Sequence, residues 1–209
     1  MTSPRPRRRA GSAGSRTRAV ILRSTERIML EQGYAAITYR SVATEAGVTP
    51  GLVQYYFPAI GELFVAVLRA GTDRIVERMA RLPEAEQPLR AIWDYAGDRT
   101  GTALLMEFMA LANHRKELGP VIGEGGERVR RAQSEALTRA WSRYGLSQDD
   151  LPPAALLFLM SCIPRMMHLE ESFGTFTGHA ETVALVERFL DQVEPRTERQ
   201  ALPGGDLKS

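Results

Sequence analysis

Apolar residues recur along this chain at helical spacing, with no sustained alternation of strand length. Between Thr17 and Gln32, Ile21, Leu22, Thr25, Ile28 and Met29 fall on one helical face. Gly33 follows as a stop, because glycine takes the left-handed position after a helix without a Cβ penalty. Thr38 caps a second short helix, with Val42 and Ala43 turned inward and Ala46-Gly47 at its end. Thr49-Pro50 is an N-cap followed by proline at the first helical position, opening a third helix that stops at Pro58. A fourth helix runs from Ile60 to Arg81, with Leu63, Phe64, Val67 and Leu68 apolar.

A proline-bounded break at 82–88 separates these from five further helices, expected over 88–97, 102–118, 123–145, 152–174 and 180–193. The fold expected is all-α, with about nine helices. Four regions follow: a basic flexible arm at 1–16, a helix-turn-helix domain at 17–64, a larger helical domain at 65–195 and a flexible tail at 196–209. "IGEGGER" at 122–128 has the glycines of a phosphate cradle but neither G-K-[ST] nor a preceding strand, so a loop is expected there.

Charge changes the picture at one end. The chain carries a net charge of +2, yet residues 1–18 hold six arginines and no acid, leaving a net −4 on the rest. Arg7, Arg8 and Arg9 form the densest part of this arm, a pattern that attracts a polyanion or serves as a solubilising tail. No apolar run follows the arm, which argues against an export signal. The longest apolar stretch, 154–163, is far shorter than the roughly 20 residues of a membrane span. Cys162 is the only cysteine, so no intramolecular disulfide forms, and a reducing, cytoplasmic setting is expected.

The first three helices form the helix-turn-helix arrangement, in which the second helix of the pair enters the major groove of duplex DNA. With Val53 and Phe57 packed inward, Pro50, Gly51, Gln54 and Tyr55 point out. A glutamine bonds adenine at two points, and tyrosine hydroxyls grip phosphate. Gly51 lets the backbone approach closely. Thr38, Tyr39 and Arg40 begin the preceding helix and are candidate phosphate contacts, with Thr49 and Tyr56 completing the set. A solvated helix face is the plain alternative for the Gln54-Tyr55-Tyr56 run.

Residues 21–68 resemble the DNA-binding region of TetR-type bacterial repressors, through Gly33-Tyr34, Thr38, Val42-Ala43, Ala46-Gly47-Val48, Gly51, Tyr55, Phe57 and Leu63-Phe64. Two positions depart from that pattern: Gln54 stands where the family usually has tyrosine, and Ile60 where it has lysine. The resemblance implies a homodimer on a palindromic operator, residing on the nucleoid when bound. It also implies a small effector inside the C-terminal helices, with the fourth helix as transmitter.

The density of methionine and aromatic residues points to a hydrophobic effector. Candidate pocket residues are Trp93, Tyr95, Met106, Met109, Phe158, Arg165, Met166 and His168, with Phe108, Met160 and Met167 nearby in sequence; ordinary core is the stronger alternative for each apolar one, and intramolecular pairing or exposure for Arg165 and His168. Pro164 is expected to kink the eighth helix. Helices eight and nine are the expected dimer surface, through Leu156, Leu159, Val183, Val186 and Phe189. No cofactor, metal site or catalytic constellation is read from the sequence. The rival to a ligand-responsive regulator is a DNA-organising protein that binds duplexes without sequence preference.

Overall fold

The computed structural model describes residues 9–81 and 86–196. These residues form nine helices and no strand: α1 Arg9–Gln32, α2 Tyr39–Ala46, α3 Pro50–Tyr56, α4 Ile60–Met79, α5 Pro88–Ala96, α6 Arg99–His114, α7 Leu118–Ala140, α8 Pro153–Glu171 and α9 His179–Val193. Short 3-10 turns lie at Tyr34–Ala36 and Trp141–Arg143. The chain divides into two compact units, one running through Met79 and including Arg99–Ala132, the other formed by Ala80–Asp98 and the residues from Gln133 onward.

In the first unit the apolar face read from the sequence is the core. Ile21, Leu22, Ile28 and Met29 of α1 meet Val42, Ala43, Val53 and Phe57 of the next two helices, and Leu63, Phe64 and Val67 of α4 close the cluster. Each of these side chains other than Ala43 contributes roughly 1.5–3 kcal/mol on leaving water. The buried Thr25 hydroxyl is satisfied by donating to the Ile21 carbonyl at 2.9 Å. From α6, Phe108 and Leu111 enter the same cluster, as does Leu118 at the start of α7.

Three expectations are corrected here. First, α1 begins at Arg9, so the helix takes in 9–16, where the sequence was read as arm. Its glycines and serines disfavour this, but Gly14 lies close to α3, where a Cβ would sit 3.3 Å from the Tyr56 hydroxyl, and tertiary contact overrides weak propensity. Second, the helix expected from residue 123 begins earlier, at Leu118, and takes in all of 122–128, so the loop reading of that segment is overturned. Ile122 packs against the core, and Gly125 lies so close to Thr72 of α4 that a Cβ would meet its Oγ1 at 2.7 Å. Of the glycines here Gly125 allows the close approach of α4, while nothing lies within 4 Å of an added Cβ at Gly119, Gly123 or Gly126. Third, Gly33 has the positive φ expected of a stop, but with φ 80 and ψ 164 it is mirror-extended, not left-handed helical. That region is open to glycine almost alone.

The second unit buries Leu89, Ile92, Trp93, Leu137, Trp141, Leu157, Met160 and Leu190. Here α5 packs on α8, which runs unbroken through Pro164. The unit is closed by a carboxylate at the end of α9. Glu194 accepts the N–H groups of Leu89 and Arg90 at 2.9 and 2.8 Å, capping the first turn of α5. Arg90 returns the contact, its Nε donating to the Glu194 carbonyl and its guanidinium pairing with Glu187 and Asp191. Tyr144 donates to the same Glu194 carboxylate. Burial first, and that hydrogen bond second, push the Tyr144 phenol well above its ordinary range.

Candidate DNA-binding face

Local chemistry builds α2 and α3 almost completely. Thr38 Oγ1 accepts from Ser41 N at 3.0 Å while Ser41 Oγ accepts from Thr38 N at 2.9 Å, a reciprocal capping box. Ser41 Oγ in turn donates to the Ala36 carbonyl at 2.7 Å, tying the 3-10 turn to α2. Gly47 ends α2 with φ 65 and ψ 35. Its N–H reaches Thr44 O and the Val48 N–H reaches Ala43 O, the paired bonds of a Schellman ending. Two residues later Thr49 Oγ1 accepts from Leu52 N at 3.3 Å, and Pro50 takes the first position of α3.

Capped in this way, α3 shows two faces. Val53 and Phe57 are 0% and 3% exposed. Gly51, Gln54 and Tyr55 face solvent, as do Thr49 and Pro50. Tyr55 is 78% exposed, its ring edge-on to that of Tyr56 at 5.5 Å. No side chain stands near Gly51, around which nothing lies within 4 Å of an added Cβ. The segment from Thr49 to Tyr55 therefore has one buried anchor, Val53, behind an open polar face.

The neighbouring candidates have more specific places. Tyr39 is half-buried, and its hydroxyl donates to the carbonyls of Phe57 at 3.0 Å and Pro58 at 2.9 Å. Its proton thus clamps the end of α3 to the start of α2, a role the sequence did not reveal. Thr38 is exposed, with Oγ1 engaged in its own cap, and Arg40 is exposed. Arg18 lies over the Phe57 ring at 5.3 Å, bringing a cation of α1 to the end of α3. Arg7 and Arg8 lie outside the described residues, and Arg9 opens α1.

Residues 21–67 match the sequence profile described as bacterial regulatory proteins of the tetR family. This stretch, the helix-turn-helix region, is what the chain shares with that family. The HTH-type transcriptional regulator PksA of Bacillus subtilis (strain 168) is 27% identical over 111 residues. That match spans 48% of this chain and 54% of the relative, about half the length of each. Among solved structures, a TetR-family transcriptional regulator from Rhodococcus sp. is 19% identical, with a TM-score of 0.65 over 85% of this chain and 98% of that one. A TetR transcription regulator from Haloarcula marismortui gives 19% and 0.66 over 84% and 96%. The multidrug binding protein EbrR, solved with imidazole, gives 27% and 0.53 over 81% and 89%. The chain is thus similar in fold to TetR-type proteins over most of its length.

The eight residues assigned to an effector are divided between the two units. Met106 is half-buried and Met109 exposed, both on α6 in the first unit. In the second, Trp93 is buried and Tyr95 half-buried on α5, while Phe158 and Met166 of α8 are exposed. Arg165 is half-buried. His168 is engaged within its own unit, with Nε2 2.9 Å from the Gly97 carbonyl and Nδ1 3.3 Å from Glu171. An open groove of about 750 Å³ lies elsewhere, in the first unit, where Arg18, Phe57, Val65, Arg69 and Asp73 are among its walls and none of the eight takes part. Of the expected dimer residues, Leu156 and Val186 are buried inside the unit, whereas Leu159 and Val183 are exposed. Among the described residues no group of three or more His, Cys, Asp or Glu is placed to hold a metal ion, and no single helix is long and apolar enough to cross a membrane.

Proposed function

We propose that this chain is a sequence-specific DNA-binding transcriptional regulator that reads duplex DNA with the outer face of α3. It acts as a homodimer on a palindromic operator, and as a repressor released by a small apolar effector. One observation carries the reading: α3 is fixed by Val53 and Phe57 from behind and capped at both ends, while Gly51, Gln54 and Tyr55 are left to solvent. Gln54 is the base reader, matched to adenine. Tyr55 and Arg40 hold phosphate, and Arg18 supplies a positive charge beside Phe57 that offsets the missing lysine at Ile60.

Support for the dimer comes from the exposed apolar side chains Phe158, Leu159 and Met166 of α8 and Val183 and Leu185 of α9. Support for an effector comes from the likeness to EbrR, a multidrug binding protein solved with imidazole, and from the second unit itself. There Gln133 Nε2 and Ser161 Oγ are buried without a hydrogen-bond partner among the described residues, a condition that a polar ligand atom relieves.

The test is selection of bound sequences from a random duplex pool at near-physiological salt. A palindrome with half-sites about 34–36 Å apart is expected. A pool that returns unenriched, with binding that vanishes uniformly as salt rises, favours the architectural binder instead.

A further inference from the structure

The short turn between α1 and α2 lacks a cap of its own. Gly33 precedes Tyr34–Ala36 and offers no side chain to the first N–H of that turn. Glu107, 73 residues further along the chain, fills the gap: its Oε2 accepts from Tyr34 N at 2.7 Å. The mirror-extended backbone of Gly33 points that N–H toward α6. An added Cβ at Gly33 would lie at an ordinary 3.5 Å from the carboxylate, so the constraint on this glycine is conformational and not spatial.

Glu107, Leu111 and His114 share one face of α6, spaced by four and three residues. Leu111 is buried in the core with α1, and the His114 ring sits 6.3 Å from the ring of Tyr34. One helix face thus grips the turn at its amide, its core and its aromatic ring. Onward connections are equally short. Ala36 accepts from Ser41, Ser41 completes the cap of α2, and α2 leads through the Gly47 ending into α3.

We propose that Glu107 is a positioning residue for DNA binding: by capping the turn at Tyr34 it sets the direction in which α2 and α3 leave α1. This rests on the DNA-binding reading above. It adds a route by which α6, and not only α4, bears on the recognition helix, since a shift of α6 along its axis breaks a bond to the turn that aims α2.

The test compares Glu107→Ala with Glu107→Gln, whose amide oxygen still accepts from Tyr34. Amide hydrogen exchange is followed over residues 33–46 in the DNA-unbound protein, and affinity for the selected duplex is measured at a temperature where circular dichroism shows every variant folded. Glu107→Ala is expected to exchange faster at 34–37 and to bind the duplex about tenfold more weakly, the equivalent of one hydrogen bond to a charged group. Glu107→Gln restores both. Unchanged exchange in Glu107→Ala overturns the proposal, and so does faster exchange with unchanged affinity. A wild-type chain that enriches no duplex removes the DNA-binding reading and this proposal with it, whereas a wild-type operator bound equally by all three variants removes this proposal alone.

Discussion

In α2 and α3 nearly every helix-end group finds its partner within five residues: Thr38 with Ser41, Gly47 with Thr44, Val48 with Ala43, Thr49 with Leu52. In the second unit the N–H groups of Leu89 and Arg90 reach Glu194, 105 and 104 positions away. The first arrangement is a local code, complete before the rest of the chain is considered. The second exists only once α5 and α9 have met. The difference bears on function. Because α3 is held by its caps and by Val53 and Phe57, the residues on its outer face carry no structural duty and are available to read DNA. In the second unit, polar groups are themselves the closure.

The largest effect expected from this contrast is at Glu194. Glu194→Ala leaves two α5 donors uncapped and the Tyr144 hydroxyl without its acceptor, and should lower stability by about 3 kcal/mol. A urea titration reads this as a shifted midpoint. A loss below roughly 1 kcal/mol, the worth of a surface pair, would show that water replaces the cap and that the contrast is overdrawn.

Glycines at the two ends of the helix-turn-helix corner sharpen the same point. Gly47 has a left-handed backbone with open space around it, so Gly47→Ala should cost about 1–2 kcal/mol through strain alone. Gly51 sits inside α3 with no such demand. Gly51→Ala is expected to leave stability unchanged or raise it by up to about 1 kcal/mol, while weakening DNA binding by placing a methyl on the reading face. Thermal melts and duplex titrations separate the two. A Gly51→Ala variant that binds as well as wild type would move the DNA contact away from α3.

The smallest effect is at Tyr144. Its phenol is raised in the folded state from the ordinary 10.0, by burial and by Glu194. The folded protein therefore keeps a proton that the unfolded chain releases above pH 10. This stabilisation is fully present below pH 10 and declines as pH rises beyond it. Tyr144→Phe should flatten that alkaline decline, as seen in melting temperature against pH. An identical decline in both proteins would assign it to other groups.

The same contrast explains what the sequence disclosed. The turn at Ala46-Gly47-Val48 and the cap at Thr49-Pro50 were readable because their partners are neighbours, and the inward set of Val42, Val53, Phe57 and Leu63 followed from spacing. The start of α1 and the first turns of α7 were placed too late because composition disfavours helix there, while Gly14 lies beside Tyr56 and Gly125 beside Thr72 in the folded chain. Glu107, Glu194 and the Tyr39 clamp left no signal at all. Each is an ordinary charged or aromatic residue until another segment arrives beside it. The effector residues were chosen by type, and burial separates Trp93 from Phe158 and Met166 in a way that type does not foretell.

The central claim is that the outer face of α3 reads bases through Gln54. Its most direct test is the duplex selection run in parallel with wild type and Gln54→Ala. The account predicts the same half-site spacing in both, with preference lost at one base position per half-site, worth about 1–3 kcal/mol of discrimination there. An unchanged base preference at every position would contradict it.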